Sequence, residues 1–175
     1  REAGRDPAEV QLLRGLQDPH RRHRCCQRGS CHRCVGENHV QELCANYDAG
    51  AYCGKPSHFI GHLQTNKIKK VLGRASLIQS VDSEHLLAAI EKEAAKVGIV
   101  QDVLLEVNIG GEESKSGVSP EQLWPLLDAA AAEEHIRVKG LMAIRPSTTT
   151  TPRTAGISLR CTSCSRRPGS GGTRT

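Results

Sequence analysis

The stretch His58-Phe-Ile-Gly-His-Leu-Gln-Thr-Asn-Lys67 passes from a short apolar run to a polar, lysine-bearing segment within a few residues. It holds the only phenylalanine of a chain in which aromatic residues make up 2%. Residues 58–61 read as a short strand, and residues 64–72 as a basic helix closed by Gly73. Such a strand–loop–helix joint is the repeating unit of a parallel α/β sheet.

The unit recurs on the C-terminal side. Residues 76–80 form the next strand, and Ser83 caps a helix whose Leu86, Leu87, Ile90, Ala94 and Val97 share one face, with Gly98 as its stop. Residues 102–109 are apolar on both faces, the mark of a strand buried inside a parallel sheet. After a loop at 110–117, Ser119-Pro120-Glu121-Gln122 is a capping box with proline at the first helical position, opening a helix that carries Leu123, Leu126, Leu127 and Ala130. Residues 138–144 are another strand.

Toward the N-terminus, residues 46–57 are a loop, His39 starts a helix, and residues 35–38 are a strand end. Residues 14–34 show no apolar period of either kind. Residues 1–13 read as a helix end leading into the strand Val10-Gln11-Leu12-Leu13. The count is about six strands in repeated β/α units, which means a doubly wound sheet or a (β/α)8 barrel. A complete barrel takes eight strands and roughly 200 residues or more.

Composition divides the chain differently. Its 175 residues suit one domain with a buried core. No apolar run nears the ~18 residues of a membrane span, and the N-terminus shows no signal-peptide core, so the cytoplasm is the expected location and no membrane is expected. The net charge of +5 raises the question of nucleic acid. Arginine is concentrated at 14–33 and 145–174, however, while the middle balances Lys against Asp and Glu, which argues against a nucleic-acid partner. The cysteines divide alike: Cys25, Cys26, Cys31, Cys34, Cys161 and Cys164 lie in the arginine-rich ends. Cys31-x-x-Cys34 and Cys161-x-x-Cys164, with His20, His23 and His32, have the inner spacing of zinc knuckles. Their separation of over a hundred residues, and the lack of flanking apolar residues, disfavour that reading; no metal is expected.

Polar residues gather at the C-terminal ends of the strands: Glu37-Asn38, His62, Gln64, Asn66 and Lys67, Asp82, Asn108 with residues 114–117, and Met142. That edge is where parallel α/β folds bind ligands.

Five motifs now stand in order: Gly36-Glu-Asn-His-Val-Gln-Glu-Leu43, the opening stretch 58–67, Gln79-Ser-Val-Asp-Ser83, Glu106-Val-Asn-Ile-Gly-Gly-Glu-Glu-Ser-Lys-Ser-Gly117 and Lys139-Gly-Leu-Met-Ala-Ile144. Together they closely resemble the pyridoxal phosphate homeostasis proteins, strongly over 35–145 and weakly over 1–13. The resemblance implies a partial (β/α)8 barrel of the alanine racemase N-terminal type, with about six of eight strands. It also implies binding of pyridoxal 5′-phosphate by a protein that buffers or delivers this cofactor without established catalysis. PLP-dependent apoenzymes would be its partners, and it would be a monomer. By resemblance the residues facing the cofactor are Asn38 at the end of the second strand, His58 inward on the third, Met142 on the sixth, and Lys115, which would bring positive charge near the phenolic oxygen.

Two parts that the family uses are absent. A lysine in a Val-Ser-Lys-Thr segment forms a Schiff base with the cofactor at the end of the first strand; here Leu13 is followed by Arg14-Gly-Leu-Gln-Asp-Pro19. Ser-, Gly- and Thr-rich turns after the last two strands hold the phosphate, and residues 146–175 contain no such strands. Back-translating Arg14-Gly-Leu-Gln-Asp and reading one base later permits Ala-Val-Ser-Lys-Thr. Reading Gly156-Ile-Ser-Leu-Arg-Cys-Thr-Ser-Cys-Ser-Arg two bases later permits an amphipathic helix, His-Phe-Ala-Ala-Leu-His-Glu-Leu-Phe-Glu-Ala. Residues 14–34 and about 146–175 are therefore expected to be out-of-frame translation. That leaves residues 1–145 as an incomplete cofactor barrel and 146–175 as a disordered tail, with the function impaired. The other classes are a fragment of a PLP-dependent racemase or decarboxylase and a basic zinc or nucleic-acid module.

Overall fold

Among the described residues, six strands lie side by side in chain order, and every pairing is parallel. They are β1 (Leu13–Gly15), β2 (Cys34–Glu37), β3 (Ser57–Phe59), β4 (Leu77–Val81), β5 (Gln101–Val107) and β6 (Ile136–Ala143). Helices α1 (Val40–Asp48), α2 (Ile68–Val71), α3 (Glu84–Val97) and α4 (Leu123–Ala131) connect β2 through β6. The computed structural model describes residues 13–15, as backbone, together with 34–110 and 116–143. Lys115, most of the two arginine- and cysteine-rich ends, and the paired cysteines other than Cys34 lie outside these residues.

The strand order decides between the two architectures left open by the β/α repeat. A doubly wound sheet reverses direction at a switch point. Here the order β1-β2-β3-β4-β5-β6 never reverses, which is the arc of a (β/α)8 barrel.

Local chemistry accounts for the boundaries. Ser83 is extended, and its Oγ accepts the Leu86 N–H at 3.3 Å, while Gly98 ends α3 in the left-handed region at φ 67°. The Ser119/Gln122 capping box forms reciprocally, at 3.3 and 3.4 Å, but stands ahead of the helix it was expected to open. The α-helix starts at Leu123 because Pro125 has no N–H to bond back to the Glu121 carbonyl. Where Arg14 was expected to lie beyond the first strand, β1 pairs Arg14 with Val35 and Gly15 with Gly36. Strand pairing uses backbone groups that any non-proline residue supplies.

The sheet has one face against the helices. Val35, Phe59, Ile78, Val103, Leu105 and Val107 of the strands pack with Leu43 of α1, Ile68 and Val71 of α2, Leu87 and Ile90 of α3 and Leu126 of α4. Burying each such side chain contributes about 1.5–3 kcal/mol. Glu37 also turns to this side, where its Oε1 accepts from Asn46 Nδ2 at 2.6 Å and from the Tyr52 hydroxyl at 3.1 Å. This residue, expected at the ligand edge, instead ties β2 to α1 and the loop after it. His135, just before β6, is bound to Glu91 of α3 through both its backbone N–H (2.9 Å) and Nδ1 (2.7 Å). Among the described residues, no helix is long and apolar enough to cross a membrane.

Candidate functional site

The other face of the sheet is set by alternation within β3. Ser57 Oγ donates to the Arg74 carbonyl at 2.5 Å, and Phe59 is wholly buried in the helix-side core, so His58 between them turns to the inner face. There it is only 7% exposed. Its partners in register are Gly36 and Leu77.

Two bulges place the remaining inner residues. In β4, Ile78 pairs with Val103 and Val81 with Leu105, so Gln79 and Ser80 together oppose Leu104. A bulge of this kind re-aims side chains. Gln79 Nε2 lies 2.9 Å from His58 Nδ1, and both side chains are buried. Ser80 Oγ is buried with no hydrogen-bond partner among the described residues. In β6, Val138 pairs with Val103 and Gly140 with Leu104, leaving Lys139 as the extra residue. Gly140 takes φ 151° at this step, a value that disfavours a side chain. Beyond it, Met142 pairs with Glu106 on the inner face, while Leu141 pairs with Leu105 on the helix side. Lys139 (3.7 Å) and Arg137 (3.2 Å) both face the Asp102 carboxylate near the start of β5, away from the C-terminal edge.

The electrostatics of this edge follow from burial. The His58 ring is held at about 4, well below its ordinary 6.5, because burial penalises the charged form. Glu106, 6% exposed, is pushed above the usual carboxylate range, first by burial and then by the neighbouring Asp82 carboxylate; His62 acts in the opposite direction. Asp82 Oδ2 itself lies 3.5 Å from His62 Nδ1. The edge thus combines a neutral imidazole, a carboxyl group of raised proton affinity and an unpartnered hydroxyl, beside the apolar Met142.

A cleft of about 280 Å³ opens beside this mouth, lined by Asn38, Phe59, His62, Gln64 and Lys67 among others. Near it, a Cβ on Gly61 would collide with the Asn38 carbonyl, so only glycine lets the loops after β2 and β3 touch. A larger cleft, about 450 Å³, lies at the other end of the strands between the loops preceding β3 and β4. Its Arg74 is engaged by Asp48 at 3.3 Å and lies 5.8 Å from the Tyr47 ring centre. Parallel barrels bind ligands at the C-terminal ends of their strands; the smaller cleft lies at that end, on the side of the loops, and His58, Ser80, Glu106 and Met142 do not line it.

Of the four residues expected to face a cofactor, His58 and Met142 share the inner face, His58 buried and Met142 half-buried. Asn38 lies one residue past β2, exposed at the rim of the cleft. Lys115 is outside the described residues. Gln79, Ser80 and Glu106 were not singled out, although each stands inside one of the five motifs. Their signal was polarity at the end of an otherwise apolar strand. Of the zinc-type cysteines, Cys34 is a buried strand residue paired with Leu13, not part of a knuckle hairpin.

Comparison with known proteins agrees with the fold. A pyridoxal phosphate homeostasis protein of Aquifex aeolicus is 49% identical over 111 residues, covering 63% of this chain and 49% of its own. The chain thus spans about half the length of that relative. Structures of PipY from Synechococcus elongatus, without and with PLP bound, superpose with TM-scores of 0.74 and 0.71 at 28% and 26% identity. They cover 85% of this chain and 70% and 69% of PipY. An alanine racemase of Clostridium difficile shares the fold alone, with 12% identity and a TM-score of 0.63 over 77% of this chain and 36% of its own. The family model for the alanine racemase N-terminal domain matches residues 20–161. With this match, the unreversed parallel sheet and the order of the motifs, the chain belongs to the alanine racemase N-terminal domain family.

Proposed function

We propose that the chain binds pyridoxal 5′-phosphate at the C-terminal edge of the inner face, as a cytoplasmic monomer of the cofactor-homeostasis type that buffers PLP or passes it to PLP-dependent apoenzymes. The observation that carries this reading is the inner-edge set of His58, Ser80, Glu106 and Met142, in a chain related to a protein whose structure holds PLP. When bound, PLP supplies an aldehyde that condenses reversibly with amines.

The residues present fit the ring of this group. The Ser80 hydroxyl is buried without a partner among the described residues, His58 is neutral, and Met142 offers an adaptable apolar surface. Among the described residues, the upper inner face carries no lysine, since Lys139 is engaged by Asp102. At the family position, Arg14-Gly-Leu-Gln-Asp stands where the Schiff-base lysine segment is expected, so cofactor binding there is read as non-covalent. Residues 14–34 and 146–175 are read as out-of-frame translation; coding DNA whose shifted frames lack the lysine triplet or contain stops would refute that part.

Absorbance titration of the purified chain with PLP, followed by borohydride reduction and peptide mapping, tests the reading. Saturable binding with no labelled peptide from residues 1–34 is expected. A labelled peptide from that region would overturn the non-covalent assignment, and absence of saturable binding would overturn the function.

A further inference from the structure

Gln79 and His58 meet through the amide Nε2 and the ring Nδ1, 2.9 Å apart, with both side chains buried. An amide nitrogen only donates, so the ring nitrogen facing it carries the lone pair. A neutral imidazole has a single ring N–H, which then sits on Nε2. No other hydrogen bond among the described residues engages this ring.

We propose that Gln79 is a positioning residue: by donating to Nδ1 it fixes His58 as the Nε2–H form, leaving one N–H donor for an acceptor oxygen bound in the mouth. The β4 bulge is what makes this possible, because it holds Gln79 on the inner face while returning Val81 to the helix-side core. The surroundings leave the amide without a charged competitor. On β2, Glu37 faces the helices and is bonded to Asn46 and Tyr52. On α1, Asp48 pairs with Arg74, and Glu42 belongs to the helix layer. Asp82, just past β4, pairs with His62, and Glu106 of β5 shares the inner face without engaging the ring. Burial alone keeps His58 uncharged, at about 4.

The opposite arrangement, with Nδ1–H donating to the Gln79 amide oxygen, would present a bare nitrogen and select a donor ligand instead. What the Nε2–H meets rests on the cofactor reading above; the tautomer itself does not.

Long-range ¹H–¹⁵N correlation on the ¹⁵N-labelled full chain at pH 7, without cofactor, reads the tautomer directly. The unprotonated, pyridine-like resonance is expected on Nδ1 of His58 and the protonated one on Nε2. In Gln79→Glu, whose carboxylate only accepts, the two are expected to exchange and the ring pKa to rise by about one unit or more. A protonated Nδ1 in the wild-type chain, or an unchanged spectrum in folded Gln79→Glu, would overturn the proposal. Should that variant fail to fold, the wild-type spectrum alone decides. A separate PLP titration keeps the two claims apart: no cofactor binding sinks the functional reading and leaves the tautomer assignment standing.

Discussion

Phe59 and His58 are chain neighbours, both buried, and they belong to opposite halves of the molecule's chemistry. Phe59 lies on the face that meets the helices, where removal of apolar area from water holds the sheet to α1–α4. His58 lies on the face where buried polar groups are kept neutral or left unpartnered. Burial on one face stabilises the fold, and on the other it costs stability and tunes reactive groups. This division is what parallel barrels use to separate scaffold from site.

The division breaks if the two faces respond alike to substitution. The largest effect is expected for Phe59→Ala, which empties a wholly buried position. It should lower unfolding free energy by about 3–5 kcal/mol in urea titration. A loss below about 1 kcal/mol would mean that the helix-side core is not packed as described.

The inner face is sharpened by pH. His58 titrates at about 4 in the folded chain and at the ordinary 6.5 when unfolded, so between these values the unfolded state binds more protons. Its contribution is complete above 6.5 and is lost as pH falls through that window toward 4, on the order of 3 kcal/mol. His58→Asn should flatten the stability curve there. Parallel curves for the two proteins would place His58 in water.

Gly61→Ala tests the contact between the loops after β2 and β3. The added methyl collides with the Asn38 backbone, and overpacking of this kind costs about 1–3 kcal/mol. PLP affinity should fall with stability; retention of both would show that the loops after β2 and β3 do not touch.

Glu106→Gln should have the smallest effect and the opposite sign. A carboxyl whose folded pKa is raised binds more protons folded than unfolded, so its charged form destabilises the chain as pH rises. The amide should raise the melting temperature at pH 7, and the gain should vanish in acid. A lowered melting temperature at pH 7 would contradict the burial argument.

Much of the fold was legible from apolar periods. The alternation after residue 58, the Ser83 and Gly98 caps and the doubly apolar β5 all lie where their chemistry predicts. The architecture was less so, because β/α repeats fit two topologies and only the unreversed strand order separates them. The inner face was the hardest to read. Counting by twos from the outward Val138 sends Met142 outward, and only the bulge at Lys139, relieved by Gly140, turns it in. The register thus turns Met142 to the inner face, where periodicity alone would have sent it outward. Gln79 and Ser80 escaped notice for the same reason, since a bulge shifts side chains between faces without changing composition.

Leu141 and Met142 offer the most direct test of the central claim that cofactor binding belongs to the inner face. In register they point to opposite sides, Leu141 with Leu105 and Met142 with Glu106, and Leu141 is 41% exposed. Equilibrium dialysis of PLP against Leu141→Glu and Met142→Glu compares the two faces at adjacent positions. Leu141→Glu should bind as the wild-type chain does, and Met142→Glu, which sets a second carboxyl group beside Glu106 and against an anionic ligand, should lose at least about tenfold in affinity. Equal losses in both, or a loss confined to Leu141→Glu, would contradict the account.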